Sequence, residues 1–198
     1  MMEHSADDTL DVRDRILHAA VRLFAARGYH GVSMREIADA CGISKAALYY
    51  HFQDKQALFL DILNGNLRIM IDLIDSIDQP GRKTEVVLRA LGDAIISLPA
   101  EQRAVIRLGS QEVSNLEDGA REQFTEIYHL HFISRIAKII AAGISSGEFR
   151  PVEPQIAAWV WLGMMYPFLY AGGEHITMAP EKAGQIFAIF FDGIKKGG

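Results

Sequence analysis

The stretch from Ser33 to Lys55, SMREIADACGISKAALYYHFQDK, constrains the chain most, because it specifies two short helices, the corner between them and the start of a third. Ser33 with Glu36 three residues on is a capping-box pair, and Ile37, Ala38 and Cys41 supply one apolar face. Gly42 tolerates the left-handed backbone that a sharp reversal needs, Ile43 pins the corner into a core, and Ser44 caps a second helix over Lys45 to about Phe52. Two short helices joined by a glycine-containing turn make a helix-turn-helix.

Such a unit serves DNA when its second helix lies in the major groove with its first residues facing base edges. Lys45 stands at that position, Ala46 and Ala47 allow close approach and contact with thymine methyl groups, and Tyr49, His51 and Lys55 can donate to phosphates. Leu48 and Phe52, four apart, face inward. The plain alternative is a helical hairpin in an all-α core, with the tyrosines as packing and His51 as a satisfied core histidine. It does not explain two capped helix starts, a tight Gly corner, an Ala-Ala gap and a run of donors in one segment.

From Ile16 to Phe59 the chain runs ILHAAVRLFAARGYHGVSMREIADACGISKAALYYHFQDKQALF. The Ala-Ala-x-x-Leu-Phe of the first helix, the Gly-Tyr-x-Gly-Val-Ser link and the Leu-Tyr-Tyr-His-Phe-x-x-Lys ending resemble the N-terminal pattern of the TetR/AcrR family of transcriptional regulators. The resemblance implies that Lys45, Ala46 and Ala47 meet bases and that Ser33, Tyr49, His51 and Lys55 meet phosphates, with Ser44 at the same DNA-facing helix start. Cys41 stands where many members carry Ala or Leu, a change expected to affect packing only.

The chain has 198 residues, 49% of them apolar, enough for a real core in one large domain or two small ones. Its single cysteine can form no internal disulfide, and MMEHSADDTLD at the start lacks the basic-then-apolar pattern of a signal peptide or anchor, so a cytoplasmic protein is expected. The net charge of −5 hides an asymmetry: residues 12–55 carry seven Lys or Arg against four acids. DNA affinity would come from that small basic end and weaken with salt.

Residues 1–11 have no apolar periodicity and are expected to be a flexible tail. Ile16, Ala19, Ala20, Leu23 and Phe24 make one helical stripe ended by Gly28, with Tyr29 and Val32 anchoring the link. Asp54 caps a long helix toward Asp78, a lever of about 35 Å. Further helices are expected from Thr84, itself the cap, to about Leu98, from Ala100 to Val113, and from about Ala120 to Ser145, the last preceded by a loop over residues 114–119. Gln155 to about Ala171 is apolar nearly all round, and such a helix must be covered on every side. A membrane span is excluded there by the short run, Pro167 and the lack of basic flanks. A final helix around Pro180 to Lys196 sets Ala183, Ile186, Phe187, Phe190 and Ile194 on one stripe, and two such helices meeting their symmetry mates would form a four-helix dimer interface.

GEFRPVEPQIAAWVWLGMM and FFDGIKK resemble the end of a subgroup of the same family. Its C-terminal domain dimerises and binds small molecules, in some members fatty-acyl or steroid-like CoA thioesters. Glu153 replaces the usual capping Asp, and Pro167 falls where a helix former is expected; loss of its hydrogen bond to the Gly163 carbonyl should kink the helix and shape a ligand cavity. The candidate lining is Phe124, Tyr128, Phe132, Trp159, Met165, Tyr166 and Phe168, with Tyr128, His131 and Tyr166 to orient a ligand. Core or dimer packing is the competing role for most of them.

His129 and His131 lie on opposite sides of a helix and cannot share a metal, and no His/Cys cluster, phosphate-cradling loop, nucleophile elbow or acid–base pair occurs. No metal, cofactor or enzymatic activity is expected. The expectation is an all-α chain with a three-helix helix-turn-helix DNA-binding domain (residues 12–55) and a helical ligand-binding and dimerisation domain (residues 56–198). It would act as a homodimeric repressor of a palindromic operator, released by a small apolar or aromatic effector such as an acyl-CoA-like ligand. An activator, a ligand-independent DNA-binding protein, or a helical small-molecule-binding module with a vestigial helix-turn-helix are the alternatives.

Overall fold

The structure is a computed structural model, and it describes residues 11–169 and 182–195. The flexible tail expected before residue 11, and the helix ends expected at Ala171, Pro180 and Lys196, lie outside the described residues. The described chain is all-α, with one isolated antiparallel bridge between Phe149 and Lys195. The helices are α1 Val12–Arg27, α2 Met34–Cys41, α3 Lys45–His51, α4 Lys55–Ile77, α5 Thr84–Ile96, α6 Ala100–Glu112, α7 Asp118–Tyr128, α8 Ser134–Ser145, α9 Pro154–Gly163, α10 Tyr166–Leu169 and α11 Ala183–Ile194.

The head forms as its local sequence dictates. Ser33 and Glu36 complete the capping box at α2, Gly42 takes the left-handed conformation (φ 66°), and Ser44 accepts the Ala47 N–H at 3.1 Å. Asp54 accepts the Ala57 N–H at 2.7 Å and starts α4. Ile16, Ala20, Phe24, Tyr29, Val32, Ile37, Leu48 and Phe52 are buried in one core. Cys41 is buried there too, its thiol donating to the Arg15 carbonyl while the Arg15 guanidinium donates to the Cys41 carbonyl at 2.9 Å. This core does not stop at residue 55: it takes in Leu58, Phe59, Ile62 and Leu63 of α4, and Val105, Leu108 and Leu116 from and just beyond α6.

The larger half has its own core, built from the far part of α4, α5, α8, α9 and α11. Four expectations are corrected here. Thr84 is not the cap of α5 but its first residue, and the cap comes from Glu148, whose carboxylate accepts the N–H groups of Thr84 (2.9 Å) and Glu85 (2.8 Å). The stretch expected as a loop is shorter than that, a 3₁₀ turn at Val113–Asn115 after which α7 starts at Asp118. The single helix expected over Ala120 to Ser145 is divided by a π-helical turn at His129–Ile133, where the Ser134 hydroxyl donates to the Leu130 carbonyl and competes with the backbone ladder. The run 118–145 has the length and composition of a membrane span, but Ile136, Ile139 and Ile140 are buried against the rest of this core.

The fourth correction concerns Pro167. The helix does not kink at it; α9 ends at Gly163, and α10 restarts with Pro167 as its second residue. Proline clashes with the carbonyl four back, that of Gly163, and the chain relieves this by ending α9 at that residue. Two tight bonds, Met165 N–H to Leu162 O and Phe168 N–H to Met165 O, both 3.0 Å, carry the backbone through the break.

Candidate nucleic-acid interface and effector cavity

On the head, Lys45, Ala46 and Tyr49 are exposed at the start of α3, Ala47 and His51 are half-buried, and Leu48 is sealed beneath them. The Lys45 ammonium sits 5.5 Å above the Tyr49 ring. Both border an open concavity that also contains Ser33, His30 and Arg35. His30 and Arg35 were not singled out in the sequence because they precede or open α2 rather than lie on the second helix. Tyr50 projects farthest, 87% exposed.

Two expected phosphate donors are already engaged. The Ser33 hydroxyl donates to Glu36 Oε2 at 2.7 Å, and Arg27 donates to Glu36 Oε1 at 2.6 Å. These bonds, with the Ser33 N–H, hold the Glu36 carboxyl down at about 2. Lys55 departs further from expectation: its ammonium is turned inward, donating to the carbonyls of Tyr29 (2.9 Å) and Val32 (3.0 Å) and lying 4.4 Å over the Tyr29 ring. Burial lowers its pKa. The link between α1 and α2 leaves two carbonyls facing the first turn of α4, and Lys55 is the cation that reaches them.

In the larger half, α4, α6, α7, α9 and α10 enclose a cavity of about 350 Å³. It contains six of the expected lining residues: Phe124, Tyr128, Phe132, Trp159, Met165 and Tyr166. Tyr128 is the hub of an aromatic wall, with ring centroids 6.3 Å from Phe124, 5.3 Å from Phe132 and 6.5 Å from Trp159. Burial and the neighbouring Tyr166 push its phenol pKa up, so it stays a neutral hydroxyl. His131 and Phe168 are corrected. His131 is exposed and away from the cavity, whereas His129 lines it, 5.3 Å from the Trp159 ring, because the π turn rotates this segment relative to a regular helix. Phe168 is buried in the core behind the wall.

The polar group that sequence reasoning missed is Asn66. It lies on α4 among Leu63, Leu67 and Met70, and its Oδ1 is buried without a hydrogen-bond partner among the described residues. Helical spacing places it on the face it occupies, but α4 also carries Gln56, Asn64 and several charged side chains, among which one amide does not stand out.

Helix α6 joins the two regions. Val105 and Leu108 enter the head core, while Val105, Ile106, Gly109 and Ser110 line the cavity. His18 of α1 meets Glu101 of α6 at 2.9 Å, Gln56 of α4 accepts the Glu117 N–H at 2.8 Å, and a Cβ on Gly28 at the end of α1 would lie 3.0 Å from Glu112.

A capped helix-turn-helix head sharing α4 and α6 with an aromatic cavity defines a ligand-responsive, DNA-binding class of all-α protein. The profile of bacterial regulatory proteins of the tetR family matches residues 16–62, and that of the tetracyclin repressor-like C-terminal domain matches residues 82–167. The chain belongs to the TetR family of transcriptional regulators. It is 29% identical over 202 residues to the HTH-type transcriptional repressor KstR2 of Rhodococcus jostii strain RHA1, covering 96% of this chain and 95% of that one. A bacterial regulatory protein of the tetR family from Rhodococcus RHA1 has the same fold, with TM-score 0.82 at 24% identity over 96% of this chain and all of that one. AibR, solved in complex with isovaleryl coenzyme A and operator DNA, superposes with TM-score 0.77 at 26% identity, covering 91% of this chain and 98% of that one.

Proposed function

We propose that the chain is a homodimeric transcriptional repressor that binds a near-palindromic operator and is released when an apolar small molecule occupies the cavity. The observation that carries this reading is the double duty of α6: the same helix packs the head and walls the cavity, so a ligand that moves it moves the head. The repressor KstR2 and the operator-bound, acyl-CoA-bound AibR support the two ends of the scheme.

On DNA, Lys45, Ala46 and Ala47 would meet base edges, and Ser44, Tyr49 and His51 with the added His30 and Arg35 would meet the backbone. Ser33 and Lys55 would act one step back, by holding the link and α2 in place. Two copies would pair through α9 and α11, which leave Ile156 (64% exposed), Val160 (54%) and Ile189 (76%) open to solvent in the single chain. The effector would favour the head spacing that does not fit the operator, and release would be limited by its difference in affinity for the two spacings. A DNA partner also supports a cytoplasmic location.

The test is salt-dependent binding of the purified protein to a genomic fragment library, with footprinting of what is retained. A near-palindromic footprint is expected, with affinity falling steeply as salt rises. Lys45→Ala with Tyr49→Phe should weaken operator binding at least about tenfold, from losing a base contact and a phosphate contact. Weak retention indifferent to sequence, or no effect of the double substitution, would overturn the reading.

A further inference from the structure

We propose that the effector is an uncharged, flat apolar molecule bearing a ketone or ester carbonyl, and that the carbonyl oxygen accepts a hydrogen bond from the Tyr128 hydroxyl. The proposal rests on the cavity being the effector site. Its observation is the state of that hydroxyl. Tyr128 lines the cavity at the centre of its aromatic wall, and its hydroxyl makes no hydrogen bond among the described residues. It is not sealed as the Oδ1 of Asn66 is, so a ligand in the cavity can reach it. A polar group held this deep ordinarily has a partner, and a phenylalanine would build the same wall without needing one.

The chemistry of the partner follows from the group. Burial, with Tyr166 beside it, raises the pKa of the phenol, so the proton stays on the oxygen and is there to be given. A phenol oxygen shares its lone pairs with the ring and donates better than it accepts, so the matching group is an acceptor. An amine would bring a donor to a donor. The cavity of about 350 Å³ lies at the lower end of small-molecule sites, and the Phe124 and Tyr128 rings stand within 25° of parallel, which suits a flat body of one or two rings.

The rest of the wall excludes charge. No Lys, Arg, Asp or Glu among the described residues lines the cavity, so a carboxylate beside Tyr128 would be buried without a counter-ion. Thr125 and His129 carry the lining out to the surface, where the adjoining hollow holds Glu122 and Glu126. Arg121 in that hollow is already paired with Asp118 at 2.6 Å, which leaves a poor seat for the phosphates of a coenzyme A thioester.

The experiment uses the full chain and four probes that share a naphthalene ring: 2-acetylnaphthalene, 2-isopropenylnaphthalene, 2-naphthoate and 2-naphthoyl-coenzyme A. The first two have the same shape and differ only in C=O against C=CH2. Calorimetry on the wild type should show the ketone binding at least about tenfold tighter than the carboxylate and the thioester. In Tyr128→Phe the ketone-to-alkene affinity ratio should fall about fivefold, as the loss of one hydrogen bond requires, and comparing ratios cancels the difference in hydration between the probes. The melting temperature should hold or rise, because the hydroxyl has no partner to lose in the unliganded protein. No binding of the ketone, an unchanged ratio, a carboxylate or thioester that binds as tightly as the ketone, or a lowered melting temperature would each overturn the proposal. Should the variant fail to fold, the infrared carbonyl band of the ketone bound to the wild type decides: a band lowered from its position in hexane is expected, and an unshifted one refutes the hydrogen bond. Operator binding, measured in parallel, separates the two readings: ketone binding through Tyr128 without operator binding breaks the regulator, and operator binding with an unchanged ratio breaks the Tyr128 assignment alone.

Discussion

The head and the effector half are both helical, yet they are held by different means. In the head, α2, α3 and α4 each start on a side chain placed immediately before them, Ser33, Ser44 and Asp54, and the core under them closes around Phe24, Leu48 and Phe59. In the effector half, none of α5, α6, α7, α9 or α11 is capped by the side chain of its own preceding residue, and the centre holds a cavity of about 350 Å³. The region that must match a fixed groove carries local instructions at the starts of α2, α3 and α4. The region that must respond to a ligand has empty space and distant supports.

The largest expected difference lies in core truncation. Phe59 is fully buried, 5.5 Å edge-on to Phe24 and 5.0 Å from Tyr29, and Phe59→Ala should destabilise the protein by about 3–5 kcal/mol. Phe132 is almost as buried but has the cavity on one side, so it has fewer partner atoms to lose, and Phe132→Ala should cost about 2 kcal/mol. Denaturant unfolding followed by circular dichroism checks both. Equal losses would mean that the cavity wall is as tightly packed as the head.

Lys55 sharpens the comparison from the other side. If it is a strut, Lys55→Met leaves the Tyr29 and Val32 carbonyls without their donor and costs about 1–3 kcal/mol of stability. If it is a phosphate contact, the melting temperature holds and the salt dependence of operator binding falls by about one unit of slope. The first outcome is expected.

The smallest effect belongs to Glu36. Its folded pKa of about 2 lies below the ordinary 4.5, because Ser33 and Arg27 bond the ionised form. The stability it contributes is therefore complete above about pH 4.5, shrinks as the pH falls, and is gone below about pH 2. Melting temperatures of the wild type and Glu36→Gln should differ near neutral pH and converge as the medium is acidified toward 2. A constant gap would show that the charge has no part in the cap.

The same division decided what could be seen in the sequence. The head was legible because its signals are local: a Ser–Glu pair three apart, a glycine at a corner, an aspartate one residue before a helix. The inward turn of Lys55 was not visible, because its sequence position after the second helix suggests a phosphate donor, whereas its partners, Tyr29 and Val32, are carbonyls more than twenty residues away. In the other half, Phe124, Tyr128, Phe132 and Trp159 were visible as aromatics at helical spacing. His129 and His131 were exchanged because the π turn changes which residues share a face. Pro167 announced a disruption, but only the folded chain shows that it restarts a helix rather than bending one. Asn66 carried no signal, since one amide among the polar residues of α4 has meaning only once a cavity stands beside it.

The carboxylate that closes the start of α5 has a consequence for synthesis. Every buried member of the head core has left the ribosome's active centre once residue 116 is joined, so the head can assemble on the nascent chain after a further stretch clears the exit tunnel. The first two amides of α5, made at residues 84 and 85, must wait for a partner 64 and 63 residues later. The DNA reader is thus ready first, and the part that can switch it off is completed afterwards.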